Sequence, residues 1–237
     1  MPLPLPPPTI RMNDRAQRDD AVYLRTARDL ARVIEEMLAL DRFSAWATAT
    51  DEWSSRTILD FGCATGRLLA GLDALGRRPH RYIGVDIQPH LIEWCNSSLA
   101  PLGNYEFYLS TMHNERYNPN GEHKHFKGGI LPEDCGGVDL IVARSVFTHM
   151  TATDTRLSLE AFRNAISPDG RAYVTVNVSN AAPAWRSNPH DPKAPSLLIV
   201  EFNKSYFEYI VEDCGFTPAV FSESVENQCA YLLRPVT

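Results

Sequence analysis

The stretch that decides the fold is Ile58-Leu-Asp-Phe-Gly-Cys-Ala-Thr-Gly66. Its first residues belong to a short apolar run, residues 56–61, which predicts a buried strand ending at Gly62. The leucines that follow at helical spacing predict a helix; they are Leu68, Leu69, Leu72 and Leu75. At such a junction glycines let the backbone approach a ligand closely, and the helix N-terminus presents free N–H groups. The stretch indicates a nucleotide-like ligand, although a purely structural turn explains it about equally well.

Outward from this turn, strands alternate with helical segments. Apolar residues at helical spacing predict a helix over 20–40, and Gly76 is placed to end the helix that follows the turn. The remaining predicted strands cover 81–86, 105–110, 138–143, 171–178, 217–221 and 228–233. The remaining predicted helices run through Leu91, Ile92 and Trp94, through Leu157, Ala161, Phe162 and Ile166, and over 205–213. This order predicts an α/β fold with a mostly parallel sheet, helices on both faces and an antiparallel C-terminal hairpin.

The 237 residues suffice for one α/β domain, and we expect a single domain over 14–237. The N-terminal end is rich in proline, which predicts an extended, disordered leader over 1–13. Residues from about 14 to 45 are expected to form an N-terminal helical cap. The connection from about 111 to 137 is long for a compact domain, and we expect it to lie on the substrate side.

Charge and cysteine content narrow the functional classes. The net charge is −6 and the pI is near 5.6, so the composition suggests no nucleic-acid or membrane partner. No run approaches the roughly 18 apolar residues that a membrane helix needs. The five cysteines are scattered and form no Cys-x-x-Cys pair. They argue against a disulfide framework or a zinc cluster and favour a reducing, cytoplasmic environment.

Two acidic residues determine which ligand the predicted nucleotide site favours. Asp86 closes the second strand, where a carboxylate can accept both hydroxyls of a ribose. Asp60 lies at the turn, where a dinucleotide fold holds its anionic pyrophosphate. A carboxylate repels that group and attracts an ammonium group instead. S-Adenosylmethionine carries an ammonium, a sulfonium and a ribose but no phosphate, so it fits better than the nicotinamide dinucleotide that a rival oxidoreductase reading requires.

The same residues carry a family resemblance. The segment 58–66 resembles motif I of class I S-adenosylmethionine-dependent methyltransferases, with Ala64 where many members have glycine. Gly84-Val-Asp86 resembles the acidic second motif, residues 138–142 the fourth-strand motif, and Gly215-Phe216 the family's ending. The resemblance implies a Rossmann-like, seven-stranded sheet with an antiparallel last strand. It also implies that Asp60 and Gly62 face the methionine end of the cofactor and that Asp86 faces the ribose.

The predicted adenine contact departs from the usual family pattern, whereas Tyr23 resembles it. After the third strand many members place an acidic residue near the adenine amino group, whereas Thr111 and Met112 stand here; Met112 as ordinary core is the simpler alternative. Tyr23 resembles a tyrosine that small-molecule methyltransferases fold over the cofactor, and a helix that only covers the sheet explains it equally well. The predicted cofactor-binding residues are Tyr23, Asp60, Gly62, Cys63, Ala64, Gly66, Asp86, Ile87, Thr111, Met112 and Arg144.

The acceptor should bind at the carboxyl ends of the strands, outside the sheet. The run Ser145-Val-Phe-Thr-His-Met150, together with the upstream turn Asn118-Pro-Asn-Gly121, resembles a bacterial subset of the family that acts on sugars and other hydroxylated metabolites. We therefore expect a small hydroxylated molecule as the acceptor. The predicted substrate-binding residues are His113, Tyr117, Phe147, Asn177 and Trp185.

His149 is the candidate catalytic residue. An acceptor hydroxyl loses its proton during or just after methyl transfer, and an imidazole titrates near neutrality and can accept that proton. The alternative is that His149 caps the helix that begins near Thr151, or packs beside the cofactor. Its place after a strand's carboxyl end favours the base.

A metal site, N-methylation and a non-catalytic binding role are the alternatives to this prediction. His113, His123 and His125 suggest a metal, but their spacing supplies no clear third ligand, so we predict no metal site; a divalent ion, used by some sugar methyltransferases, is not supported by the sequence. N-methylation of a small amine and a non-catalytic S-adenosylmethionine-binding module remain alternatives. The sequence favours neither nucleic-acid nor membrane partners and leaves monomer and homodimer open.

Overall fold

The computed structural model describes residues 2–11, 15–42, 52–114, 116–121, 130–190, 199–225 and 228–236. The chain divides into two compact units, Met1–Leu109 and Ser110–Thr237. Each unit contains its own parallel strands and its own helices. The expectation of one domain over 14–237 stays a prediction beside this division.

Three parallel strands and three α-helices lie in the described residues of the N-terminal unit. They are α1 (Asp20–Leu40), β1 (Thr57–Phe61), α2 (Arg67–Ala74), β2 (Arg81–Asp86), α3 (Pro89–Ser98) and β3 (Tyr105–Leu109), with 3-10 turns at Arg15–Arg18, Glu52–Ser55 and Ala100–Leu102. β2 lies between β1 and β3, with Val85 opposite Phe61 and Asp86 opposite Leu109. The parallel register brings the carboxyl ends of the three strands to one edge.

The predicted bounds of α1 and the predicted end of α2 at Gly76 are confirmed. α1 runs from Asp20 to Leu40, and the side chain of Asp19 accepts the N–H of Val22 as its N-cap. Gly76 has a φ of 73° after the last turn of α2, the left-handed conformation that ends helices. The side chains of α1 that are buried recur at a spacing of three and four; they are Tyr23, Ala27, Leu30, Ala31, Ile34, Met37 and Leu38.

The segment 2–11, which lies within the leader predicted over 1–13, is held against the N-terminal unit. The N–H of Leu3 donates to Asp73 Oδ2 at 3.0 Å. Arg11 is only 6% exposed, and its guanidinium donates to the carbonyls of Pro6, Gln17 and Arg18 and to the carboxylate of Asp20. One arginine with five N–H donors can gather several carbonyls. The disordered leader over 1–13 stays a prediction beside these contacts.

The C-terminal unit contains the remaining elements. They are β4 (Val138–Ala143), a 3-10 turn at Phe147–His149, α4 (Ala152–Ala165), β5 (Ile166–Val178), β6 (Trp185–Ser187), β7 (Val200–Phe202), α5 (Lys204–Asp213), β8 (Phe216–Val225) and β9 (Gln228–Pro235). β5 pairs in parallel with β4 and β7 and antiparallel with β9, which pairs antiparallel with β8. The predicted antiparallel C-terminal hairpin is confirmed. Of the helices in the described parts of the chain, none is long and apolar enough to cross a membrane.

Two details of the C-terminal unit differ from the sequence pattern. β6 and β7, each three residues long, pair antiparallel with each other and add to the seven strands that were predicted. Such short strands leave no readable alternation of apolar residues. β5 begins at Ile166, before the predicted start at Arg171, because Ile166 pairs with Val138 ahead of a register shift.

The close approach of α1 to α2 at Gly71 yields a stability prediction. A Cβ at this position would lie 2.1 Å from the carbonyl oxygen of Ala27. Gly71→Ala should therefore lower the free energy of unfolding by about 2 kcal/mol, although alanine is the better helix former by about 1 kcal/mol. Urea unfolding followed by circular dichroism measures the change. Gly136→Ala, where nothing lies within 4 Å of the added carbon, is the control, and equal stability of the two variants would contradict the packing argument.

Candidate active site

The turn after β1 is built from alternating left-handed residues. Gly62, Ala64 and Gly66 have φ values of 84°, 48° and 70°, and Gly66 is the N-cap of α2. The N–H groups of Gly62 and Cys63 both donate to the carbonyl of Val85, at 2.7 and 3.1 Å. The turn is thereby fastened to the end of β2, and the N-terminal end of α2 follows directly from it.

Asp86 is fixed by three backbone N–H groups. Ala64 N–H donates to Oδ2 at 2.8 Å and Gln88 N–H to Oδ1 at 2.9 Å, and the N–H of Ile87 also bonds to this carboxyl group. Burial raises the pKa of Asp86, and the three backbone donors oppose that shift. Two carboxylate oxygens offer about four acceptor sites, so this group retains acceptor capacity for a ligand hydroxyl.

Asp60 is a buried carboxyl group, 5% exposed, at the end of β1. Its main polar partner is the hydroxyl of Tyr82, which donates to Oδ2. Burial raises the pKa of Asp60 to about 7; the Tyr82 hydrogen bond and the charge of Arg67 lower it, and the charge of Asp86 raises it. Cys63 also lies within electrostatic range. The site therefore holds a carboxyl group that ionises near neutrality.

Tyr23 connects α1 to the turn. Its hydroxyl shares a hydrogen bond with Thr65 Oγ1 at 3.1 Å, and the guanidinium of Arg11 lies 4.9 Å from the centre of its ring. Burial raises the pKa of Tyr23 to about 12. The phenol therefore stays neutral and reaches the loop next to Gly66, as a residue that helps to shape the turn.

In the C-terminal unit, the turn after β4 is also strained and fastened. Ser145 has a φ of 56°, and its N–H donates to Thr175 Oγ1 at 2.7 Å. The side chain of Gln228 bonds to both hydroxyls, with Thr175 Oγ1 donating to Oε1 at 2.6 Å. Strands β4, β5 and β9 are thus joined beneath the predicted substrate segment. Arg144 precedes this turn and lies within electrostatic range of Tyr173.

His149 lies at the end of the 3-10 turn and is half-buried. The ring of Tyr117 meets its imidazole edge to face, with centroids 5.8 Å apart. Asn114 Nδ2 donates to the carbonyl of His149 at 3.2 Å. The cap of α4 is Thr151, whose Oγ1 accepts the N–H of Asp154. Thr151 therefore supplies the N-cap of α4, and the role of His149 stays a prediction.

Comparison with known proteins matches this architecture. Residues 59–172 match the model of a family described as a methyltransferase domain. The fold resembles mitomycin 7-O-methyltransferase MmcR at 19% identity and a TM-score of 0.50, over 93% of this chain and 59% of that chain. It also resembles CalO1, a methyltransferase in calicheamicin biosynthesis solved with S-adenosylhomocysteine, at 14% identity and 0.51, over 92% and 57%.

A third match is magnesium protoporphyrin IX methyltransferase from Synechocystis PCC 6803, solved with bound S-adenosylmethionine. Its identity is 14% and its TM-score 0.51, over 91% of this chain and 81% of that chain. The chain shares the fold of these methyltransferases. The α/β fold class predicted from the sequence is confirmed, and the matched methyltransferase domain agrees with the predicted family resemblance. The chain spans less than 60% of the length of the first two proteins that it resembles.

Within this methyltransferase fold, the N-terminal unit brings together eight of the predicted cofactor residues along one turn and its neighbours: Tyr23, Asp60, Gly62, Cys63, Ala64, Gly66, Asp86 and Ile87. Sequence reasoning missed Tyr82, Thr65 and Arg67. Tyr82 could have been found, because it lies two residues from Gly84 and four from Asp86 and so shares their face of the strand. Thr65 belongs to the turn itself, and Arg67 begins α2 directly after it, so both adjoin the predicted residues in sequence.

The predicted adenine segment belongs to the C-terminal unit. Thr111 is exposed, Met112 is buried and His113 is half-buried. The carbonyl of Met112 accepts from Asn118 Nδ2 at 3.0 Å, and the N–H of Gly121 reaches the carbonyl of Asn118, which confirms the predicted turn at 118–121. The role of Thr111, Met112 and Arg144 toward adenine or another part of the cofactor stays a prediction.

The predicted substrate residues receive different environments. Phe147 is 0% exposed and stacks on Phe162, so it lies in the core of the C-terminal unit, and its assignment to the substrate site stays a prediction. Asn177 donates to the carbonyl of Val200 at 3.1 Å and ties β5 to β7. Trp185 is 38% exposed on β6 and, like Asn177, stays a predicted contact.

Two of the three histidines considered as metal ligands, His123 and His125, lie outside the described residues. Over the described residues, His, Cys, Asp and Glu form no group of three or more that could hold a metal ion.

Ala64 provides a stability prediction for the turn. A non-glycine residue in the left-handed region costs about 1–2 kcal/mol, and a glycine there adds unfolded-state entropy of about 0.5–1 kcal/mol. Ala64→Gly should therefore raise the free energy of unfolding by about 0.5–1 kcal/mol in urea unfolding. Ala70→Gly, in the middle of α2, is the matched control and should lose about 1 kcal/mol. A loss of stability in Ala64→Gly would refute the assignment of strain to this residue.

Proposed function

We propose that the chain binds S-adenosylmethionine and transfers its methyl group to a hydroxyl of a small molecule. The observation that carries the proposal is the pair of carboxyl groups in the N-terminal unit. Asp86 is oriented by three backbone N–H groups, and Asp60 is buried at the turn. One would accept from the ribose hydroxyls and the other would attract the ammonium of the methionine part.

Electrostatics favour this cofactor over a dinucleotide. The backbone donors near Asp86 are already occupied by its carboxylate, and Asp60 adds a second negative charge when it ionises. An anionic pyrophosphate would face both charges in a poorly solvated place, where repulsion is weakly screened. A cation would relieve the same charges. The match to solved relatives with S-adenosylmethionine or its product bound supports the same cofactor.

The chemistry proposed is an in-line displacement at the methyl carbon. The acceptor oxygen forms the new O–C bond while the C–S bond breaks, and S-adenosylhomocysteine leaves as a neutral thioether. The hydroxyl proton passes to His149, our candidate general base. Most of the acceleration would come from holding oxygen, carbon and sulfur in line, and proton transfer would add a smaller factor. The half-buried imidazole beside Tyr117 supports this role.

A small hydroxylated acceptor, such as a sugar or glycoside, is the proposed substrate class. One of the solved structures of this fold is a 7-O-methyltransferase of a small molecule, and the resemblance of residues 145–150 points to hydroxylated metabolites. Purified protein with labelled S-adenosylmethionine should be screened against sugar, phenol and amine pools. Label transfer to the amine pool alone would favour N-methylation. Binding of S-adenosylhomocysteine without transfer to any pool would favour a non-catalytic binding module.

The cofactor itself is tested by fluorescence titration with S-adenosylhomocysteine and with NADH. We expect saturable binding of the first and none of the second. The reverse result would refute the proposal and support the oxidoreductase reading.

Asp60 should make cofactor affinity depend on pH. Its pKa is about 7 in the unliganded protein, and only the ionised form attracts the ammonium, which keeps its proton below about pH 8. The affinity for S-adenosylhomocysteine is therefore expected to fall by about tenfold per pH unit as the pH decreases below 7. Isothermal titration calorimetry between about pH 5.5 and 7.5 measures this slope.

Asp60→Asn is the control for this dependence, since an amide oxygen can still accept the Tyr82 hydroxyl. At pH 7.5 it should bind S-adenosylhomocysteine roughly 10- to 100-fold more weakly, because a charge-assisted contact is lost, and the slope should disappear. If the slope persists in this variant, another group such as Asp86 carries the dependence and the assignment of Asp60 to the ammonium is wrong.

His149→Ala separates binding from chemistry. The cofactor residues of the N-terminal unit are unchanged, so the affinity for S-adenosylhomocysteine should stay within about twofold in calorimetry. Turnover of an acceptor found in the screen should fall by roughly 10²- to 10⁴-fold. His190→Ala, which changes an exposed histidine, should retain turnover. Near-normal turnover in His149→Ala would remove this residue from the mechanism.

A further inference from the structure

Asn114 occupies a central place in the predicted substrate segment. It exchanges two backbone hydrogen bonds with Asn118, at 3.0 and 2.9 Å. Its side-chain oxygen accepts the N–H groups of Arg116 and Tyr117, at 3.1 and 3.0 Å. Its side-chain nitrogen donates to the carbonyl of His149 at 3.2 Å. One carboxamide therefore contacts both the segment that carries Tyr117 and the turn that carries His149.

The pattern of partners requires an amide. Backbone N–H groups need an acceptor, and a carbonyl needs a donor, so the oxygen of Asn114 must face Tyr117 and the nitrogen must face His149. Aspartate could accept from Tyr117 but could not donate to the carbonyl. Alanine could do neither. The chemistry of the side chain, and not only its size, determines whether the two segments are joined.

Because Asn114 links the two segments, the rings of Tyr117 and His149 form an ordered aromatic pair. The Tyr117 ring meets the His149 imidazole at an interplanar angle of 80°. The guanidinium of Arg116 lies 5.0 Å from the centre of the same Tyr117 ring. Asn114 fixes the backbone on both sides of this contact. The imidazole is thereby restrained by its own backbone and by a neighbouring ring.

We propose that Asn114 is a positioning residue that holds the imidazole of His149 against Tyr117 for proton transfer. This inference rests on the proposed function, because it assigns a task to the candidate base. Asn114 itself touches neither substrate nor cofactor in this account. It acts through the carbonyl of His149 and through the backbone N–H of Tyr117.

The first test needs no acceptor. Correlation spectra of the histidine rings in the full chain, which has seven histidines, identify His149 by its loss in His149→Ala. In Asn114→Ala and Asn114→Asp the His149 ring signals should move toward those of a solvent-exposed histidine, because the Tyr117 ring is released. Asn120→Asp changes an exposed asparagine of the same turn and should leave them in place. Unchanged His149 signals in both Asn114 variants would overturn the proposal.

The second test uses an acceptor from the screen with labelled S-adenosylmethionine. Asn114→Asp should lower kcat by about 10- to 100-fold, with the affinity for S-adenosylhomocysteine within about twofold and with Asn120→Asp near normal. In the His149→Ala background, Asn114→Ala should add no further loss. An equal loss with and without His149 would show a general structural role and overturn the proposal.

The two tests separate the possible failures. Near-normal turnover in His149→Ala refutes the general base and with it the task assigned to Asn114, even where the ring signals show the predicted movement. Collapsed turnover in His149→Ala, combined with normal kcat in Asn114→Asp and Asn114→Ala, refutes positioning while the proposed function stands.

Discussion

The hydrogen bond from Ala64 N–H to the carboxylate of Asp86 is the contact on which the candidate cofactor site of the N-terminal unit depends. It joins the turn after β1 to the end of β2 across 22 residues of sequence. The N–H can point there only because the turn alternates through left-handed conformations, and Ala64 adopts one without being glycine. Strain in the turn and orientation of the carboxylate are therefore two parts of one arrangement.

Buried charge imposes the second constraint. Asp60 and Asp86 both have raised pKa values, primarily because burial penalises their charged forms. Arg67 and the hydroxyl of Tyr82 offset only part of that penalty at Asp60. A fold selected for stability alone would place apolar groups there. A cationic ligand would remove the conflict, so the electrostatics of the unliganded protein already favour a particular kind of partner.

Local sequence patterns predicted the helices and strands well because interactions between neighbouring residues determine where they begin and end. The bounds of α1 follow from apolar spacing and a cap, and Gly76 follows from the left-handed end of a helix. Contacts between distant segments were less predictable. Nothing near Arg11 in sequence announces that it gathers the carbonyls of its own neighbours, and the pattern around Phe147 cannot tell a pocket wall from a core residue.

The segment around Asn118 shows why a turn motif can predict more than a turn. Proline after Asn118 and the N–H of Gly121 close the turn itself. The Asn118 side chain then donates to the carbonyl of Met112, and the Asn118 backbone pairs with Asn114, whose amide reaches His149. Turn residues with spare donors and acceptors can thus satisfy buried carbonyls beyond their own turn. A polar turn beside a catalytic candidate is in this way able to order that candidate, which an apolar loop of equal length could not do.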